Sequence, residues 1–234
     1  MDWATPRRLL YCAALVLVTP SAAAQHVGTA AFLRPDEPTQ RVLAAVSWNP
    51  SLSVELGYAR ILPLCSSCAP RNLLLMGELS VPVFLAPELD TGMLRATAAV
   101  FPFDGKWNVR SAAQLRVQTF DNGVSSGTGF GWAIDAMPGW FGDRWFGGLG
   151  LQFHQTALTY LAHHASYQRN FPAAKNGWYR TTAAYFDFSL VGGVKATRRF
   201  ELQLTAGRRF PWNFEDYQPY LFPWVFALAT SYGF

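Results

Sequence analysis

The chain has 234 residues, of which 50% are hydrophobic and 15% charged, with a formal net charge of +4. That charge is too small and too dispersed for the basic stripe that nucleic-acid binding requires, so no nucleic-acid partner is expected. Beyond its first two dozen residues the chain holds no long apolar run of helical type, which leaves no candidate for a membrane-spanning helix.

The first 24 residues read as a secretory signal peptide. Arg7 and Arg8 form its basic region, residues 9–18 its short apolar run, and Ala22, Ala23 and Ala24 its small-residue site, with cleavage expected before Gln25. Cys12 does not mark a lipoprotein, because Tyr11 before it is too bulky for that cleavage site. Losing Arg7, Arg8 and Asp2 with the leader takes the net charge from +4 to about +3 and leaves one domain over 25–234. Export exposes the remaining pair, Cys65 and Cys68, to an oxidising compartment, which favours a small disulfide-closed loop. A zinc site would need a second such pair, and a redox centre would need a βαβ surround. Neither is present in the sequence, so no metal and no cofactor are expected.

The mature chain divides into segments of roughly ten residues, the length of a tilted membrane-crossing strand. Strands are predicted over 41–48, 52–62, 72–85, 92–103, 107–120, 127–140, 145–158, 180–196, 200–212 and 222–234. Short turns at 49–51, 104–106, 142–144 and 197–199 alternate with longer connections at 86–91, 121–126, 159–179 and 213–221. In outer-membrane barrels short turns are periplasmic and long loops external, and counting back from the last strand gives that arrangement as far as 86–91; further back it reverses, with the Cys65–Cys68 loop periplasmic and the turn at 49–51 external. The expected fold is all-β, an antiparallel transmembrane barrel of about ten strands. Eight or twelve remain open, because 26–34 and part of 159–179 could each add a strand.

Period-two alternation gives each strand two faces. In 107–120, Trp107, Val109, Ala113, Leu115 and Val117 oppose Asn108, Arg110, Gln114, Arg116 and Gln118. In 145–158, Leu149, Leu151 and Phe153 oppose Gln152 and His154; in 200–212, Phe200, Leu202 and Leu204 oppose Glu201, Gln203, Thr205 and Arg209. Trp48, Trp107, Trp145 and Trp224 fall near segment ends, where aromatic girdles meet a membrane interface. The polar faces then share a lumen, and the charges there are Glu55, Glu78, Arg95, Arg110, Arg116, Asp135, Asp187 and Glu201. Buried charges must pair, so a salt-bridged core is expected rather than a wide channel, with a narrow solute pore as the alternative. Arg110 and Arg116 lie six residues apart on one face, about 20 Å along the strand. The acids expected to meet them are Glu78, Glu201 and Asp187.

The last strand, 224–234, carries no charge, and its large face is Trp224, Phe226, Leu228, Thr230, Tyr232 and Phe234. With a terminal Phe234 preceded at alternate positions by Tyr232, Leu228 and Phe226, it resembles the C-terminal assembly signal of bacterial outer-membrane β-barrels. That resemblance implies an outer-membrane location in a Gram-negative bacterium and the barrel-assembly machinery as a partner. Residues 170–179, with 219–223, resemble a group of uncharacterised small barrels of that kind.

One stretch carries candidate chemistry. His164 and Ser166 resemble the His-x-Ser pair of the outer-membrane lipid A deacylases, where His is the base, Ser the nucleophile and a Glu orients the His. Tyr167 stands where that family has Asn, and no Glu lies between Ser166 and Glu201; Asp187 is the available substitute. His163 and His164 do not make a metal site, because adjacent side chains on an extended chain point to opposite faces. The leading expectation is a non-enzymatic barrel, structural, adhesive or permeating small solutes, with acyl hydrolysis as its rival. Outer-membrane lipids and lipopolysaccharide are the expected partners, the latter through His163, His164, Arg169, Lys175 and Arg180.

Overall fold

A computed structural model describes residues 38–48, 52–64, 72–83, 90–103, 105–121, 124–180, 184–212 and 224–234. The leader, 26–34 and Cys65 and Cys68 lie outside the described residues. In chain order the elements are β1 (Gln40–Trp48), β2 (Leu52–Pro63), β3 (Asn72–Pro82), β4 (Asp90–Val100), β5 (Trp107–Asp121), β6 (Ser125–Phe141), β7 (Trp145–His163), α1 (Ala165–Asn170), β8 (Gly177–Arg180), β9 (Ala184–Lys195), β10 (Phe200–Pro211) and β11 (Trp224–Gly233). Ten of the strands pair antiparallel with their chain neighbours, and β1 closes on β11 from Arg41↔Gly233 to Trp48↔Phe226. The result is a closed barrel whose ten long strands coincide in place with the ten predicted segments. The eleventh, β8, pairs only with the far end of β7.

The barrel has a turn end and a loop end. At the turn end, Gly105 is left-handed between β4 and β5, with φ +113°. The turn between β9 and β10 is tied by Thr197, whose hydroxyl accepts the backbone N–H groups of Arg199 (3.2 Å) and Phe200 (3.0 Å).

Alternation puts small and polar side chains inside and large apolar ones outside. The outward leucines line up across the register: Leu56↔Leu79, Leu79↔Leu94, and on the other flank Val46↔Leu228 and Leu228↔Leu204. Leu115 and Leu190, 69% and 70% exposed, are among the most exposed members of this belt. A soluble protein rarely shows an apolar band that continuous.

Inside, toward the turn end, lie two apolar clusters. Leu43, Ala45, Ala59, Ile61, Leu74, Met76, Ala99 and Ala112 cluster under β1–β5. Met137, Phe141, Phe146 and Val191 cluster under β6, β7 and β9, and Phe101 packs against both groups.

β7 runs five residues further than the 145–158 predicted for it. The register on β6 jumps from Phe130↔Leu158 to Gly131↔Thr156, so Ala157 is an extra, bulged residue. A bulge reverses parity, which is why alternation read from one end stops there. Beyond it Thr159, Leu161 and His163 face inward, and Leu158 and Tyr160 outward. Gly131 fits the bulge because a Cβ there would press on the Gln155 carbonyl at 2.7 Å.

Candidate functional site

Around and above these apolar clusters the interior is lined by charged and polar side chains, arranged in connected groups. On β1–β4, the Ser47 hydroxyl donates to Glu55, and Arg95 sits between Glu55 (3.6 Å) and Glu78 (3.7 Å). On β5 and β6, Arg110 is bonded to Asp135, which also accepts from the Gln114 amide at 3.2 Å. At the turn end, Arg41 donates to the Ser231 hydroxyl at 3.0 Å, and Glu201 stands across the ladder from both Ser231 and Lys195.

The most connected group crosses four strands. Arg209 on β10 binds Asp187 on β9 with both nitrogens, Nε to Oδ1 and Nη2 to Oδ2, each at 2.8 Å. His154 on β7 meets Asp187 Oδ2 through Nε2 at 3.2 Å, and Arg116 on β5 meets His154 Nδ1 through Nη2 at 3.1 Å. Arginine only donates, so Nδ1 is the acceptor and the imidazole proton sits on Nε2, pointed at the carboxylate. The Tyr185 ring lies 5.5 Å from the Arg209 guanidinium. The reach from β5 to β7 is open because β6 presents Gly131 and Ala133 between them. His154 is fully buried and Arg209 is 2% exposed.

The structure therefore gathers the eight lumen charges named from sequence inside the barrel, all of them buried. It corrects the pairing expected for two of them. Arg110 finds Asp135, the acid one strand over, because Ala112 stands opposite Asp135 in the register. Arg116 meets an imidazole, and among the described residues no carboxylate lies at ion-pair distance from it. Arg41, Lys195, Arg209 and His154 join the interior as well. Their inward parity was visible for His154 and Arg209; Arg41 was hidden by the weak two-facedness of 41–48.

The catalytic alternative is not assembled as drawn. Asp187 is opposite Gln152, twelve positions before His164 and roughly 40 Å down the strand at ~3.3 Å per residue. His164 instead pairs with Asp121, Nε2 to Oδ1 at 3.0 Å, at the exposed loop end, while Ser166 is exposed on α1. The two adjacent histidines do diverge: His163 turns inward and stacks on Tyr167 at 5.4 Å, and Tyr167 packs on Phe171 at 4.8 Å. Asn176 fixes this fold-back by accepting the His163 backbone N–H (2.8 Å) and the Gln168 amide (3.1 Å). Arg169, Lys175 and Arg180 are exposed around it. On the last strand, Phe226, Leu228, Tyr232 and Phe234 all face outward.

No family model matches the sequence, and no curated protein sequence does. Among solved structures, the chain is similar to the Acinetobacter baumannii outer membrane protein Omp33, at 7% identity and a TM-score of 0.38 over 86% of this chain and 100% of that one.

Proposed function

We propose that the protein is an integral outer-membrane β-barrel, closed to solutes and without enzymatic activity, that holds a folded projection at the cell surface. The observation that carries this is the radial inversion of polarity. Arginines and carboxylates pair inside while leucines stand 50–70% exposed in a band outside, as with Leu56, Leu94, Leu190 and Leu228. Water would dissolve the opposite arrangement; hydrocarbon selects this one. The turn end is periplasmic and the loop end external, so the ends of β6 and β7, with α1 and β8, project from the surface. The aromatic residues Trp48, Trp212 and Trp224 then mark the external interface, and Trp107, Trp145 and Tyr232 the periplasmic one. Phe226, Leu228, Tyr232 and Phe234 engage the barrel-assembly machinery. The paired and hydrogen-bonded side chains around Arg95, Arg110 and Arg116 stand inside the barrel, which supports a structural or adhesive barrel over a solute channel.

The test is direct. The protein is expected in the outer-membrane fraction, with a gel mobility that shifts on boiling, and to give no conductance steps in planar bilayers. A soluble periplasmic protein with unchanged mobility would end the membrane reading, and stepwise conductance would restore the channel.

The His164–Asp121 pair supports a second reading, acyl hydrolysis of lipid A or a phospholipid with Ser166 as nucleophile and Asp121 orienting the base. Lipid A from producing cells would then lack one acyl chain, and Ser166→Ala would restore it.

A further inference from the structure

The outer faces of β6, β7, β9, β10 and β11 carry aromatic rings toward the loop end. Trp132 meets Phe153 at 5.6 Å, Phe153 meets Phe186 at 5.1 Å, and Phe186 meets Trp212 at 5.0 Å between centroids. Phe188 and Phe210 meet edge to face at 5.5 Å. Arg208 stands among them, opposite Phe188 on one side and Trp224 on the other. Its guanidinium carbon lies 5.1 Å from the Phe210 centroid and 5.6 Å from that of Trp224. Arg208 is exposed, and among the described residues no carboxylate pairs with it. On the outward faces of β7, β9, β10 and β11 it is the one charged side chain among the described residues.

A cation on this face needs a reason. An arginine is costly at the middle of a bilayer and nearly free at its interface. Arg208 is three positions from the last residue of β10 at the loop end, level with Trp224, the residue type that settles at that interface. The rings stand within cation–π distance of the guanidinium, which has no carboxylate partner among the described residues. A guanidinium is a planar fork that can match two phosphate oxygens. The wall around it is convex and apolar, suited to acyl chains lying along the strands.

We propose that Arg208, framed by Phe188, Phe210 and Trp224, binds the phosphate of an outer-leaflet lipid of the lipid A class. The proposal rests on the membrane reading and its orientation. It differs from any contact made by the exposed cations of the projection, because it lies on the barrel wall and uses aromatic rings.

The test uses the full chain refolded in detergent and native mass spectrometry, titrated with lipid A and with chemically dephosphorylated lipid A. The wild type is expected to retain lipid A in preference to the dephosphorylated form. Arg208→Gln is expected to lower lipid A retention about tenfold, the size of one lost charge-assisted contact, and to leave the dephosphorylated lipid unaffected. Arg208→Lys, which keeps the charge without the fork, is expected to fall between. Arg60→Gln removes an outward arginine near the turn end and is expected to change nothing. Equal retention by wild type and Arg208→Gln, or a wild type indifferent to the phosphates, would overturn the proposal. If Arg208→Gln does not fold, the phosphate preference of the wild type and Arg208→Lys decides. Heat-shifted mobility in vesicles is scored separately, so loss of the membrane reading is distinguishable from loss of this site.

Discussion

The wall made by β1–β5 and the wall made by β6, β7 and β9–β11 solve the same two-sided problem with different chemistry. Outside, the first is mainly aliphatic: Val46, Val54, Leu56, Leu75, Leu79, Val81, Leu94 and Leu115 are exposed, with Tyr58 among them and Trp48 and Trp107 at strand ends. The second carries the connected rings of Trp132, Phe153, Phe186, Phe188, Phe210 and Trp212. Inside, the first holds Arg95 loosely between two glutamates, at 3.6 and 3.7 Å, beside a cluster of small and aliphatic residues, with Arg41 on β1 bonded to Ser231 and Arg110 on β5 bonded to Asp135. The second holds Arg209 against Asp187 at 2.8 Å and extends that contact through His154 to Arg116 on β5 of the first wall. Buried charge is tolerated where every partner is hydrogen-bonded, and volume fills the lumen where it is not. The most connected buried charge group is therefore anchored on the second wall, at Arg209 and Asp187.

Arg209→Leu should show this most strongly. It leaves Asp187 buried with only an imidazole, at a cost of about 3–5 kcal/mol, read as a lower urea midpoint for the barrel refolded in vesicles. Replacing Arg209 and Asp187 together by leucine should recover most of that loss, because no charge is then stranded. Arg95→Leu should cost less, since its contacts are longer than hydrogen bonds and Glu55 keeps its Ser47 donor. Equal losses at Arg209 and Arg95 would erase the contrast between the walls. Next in size is Leu115→Arg, which places a charge in the middle of the aliphatic belt at about 2–4 kcal/mol. It should reduce the fraction that inserts into vesicles; insertion at the wild-type level would mean that this face does not meet lipid.

The strands were legible because hydrophobic alternation is a local signal. It gave all ten long strands and put Arg95, Arg110, Arg116, Asp135 and Asp187 on the polar faces. It stopped where a local rule is broken: the extra residue at Ala157 flips parity, so the last turns of β7 read as loop. Pairing was not legible, because it depends on register between strands. Arg110 meets Asp135 and not Glu78 only because of how far β5 is offset against β6. The same holds for His164, whose partner Asp121 lies 43 residues earlier and is brought near by the β5–β6–β7 arrangement. The aromatic frame around Arg208 was equally out of reach, since its rings come from β9, β10 and β11 and no spacing rule joins them.

The smallest effect tests whether the aromatic wall contributes to the fold or is there for what it contacts. Phe186 touches three rings, those of Phe153, Phe188 and Trp212, so Phe186→Leu removes the edge and offset contacts while nearly keeping apolar area. Such ring pairs contribute about 0.5–1.5 kcal/mol each beyond burial. On a lipid-facing surface the acyl chains replace part of that contact, so the expected loss is at the low end, about 0.5–1 kcal/mol, in the same urea titration. The mirror substitution, Leu79→Phe, puts a ring opposite Leu56 and Leu94, where no ring waits for it, and should gain nothing. If Phe186→Leu instead cost as much as Leu115→Arg, the rings would be a structural clasp joining β7 to β9 and β10. A loss near zero would mean that the aromatic wall is retained for its lipid contacts, and the phosphate preference at Arg208 would then be the property to measure in the Phe186 variant.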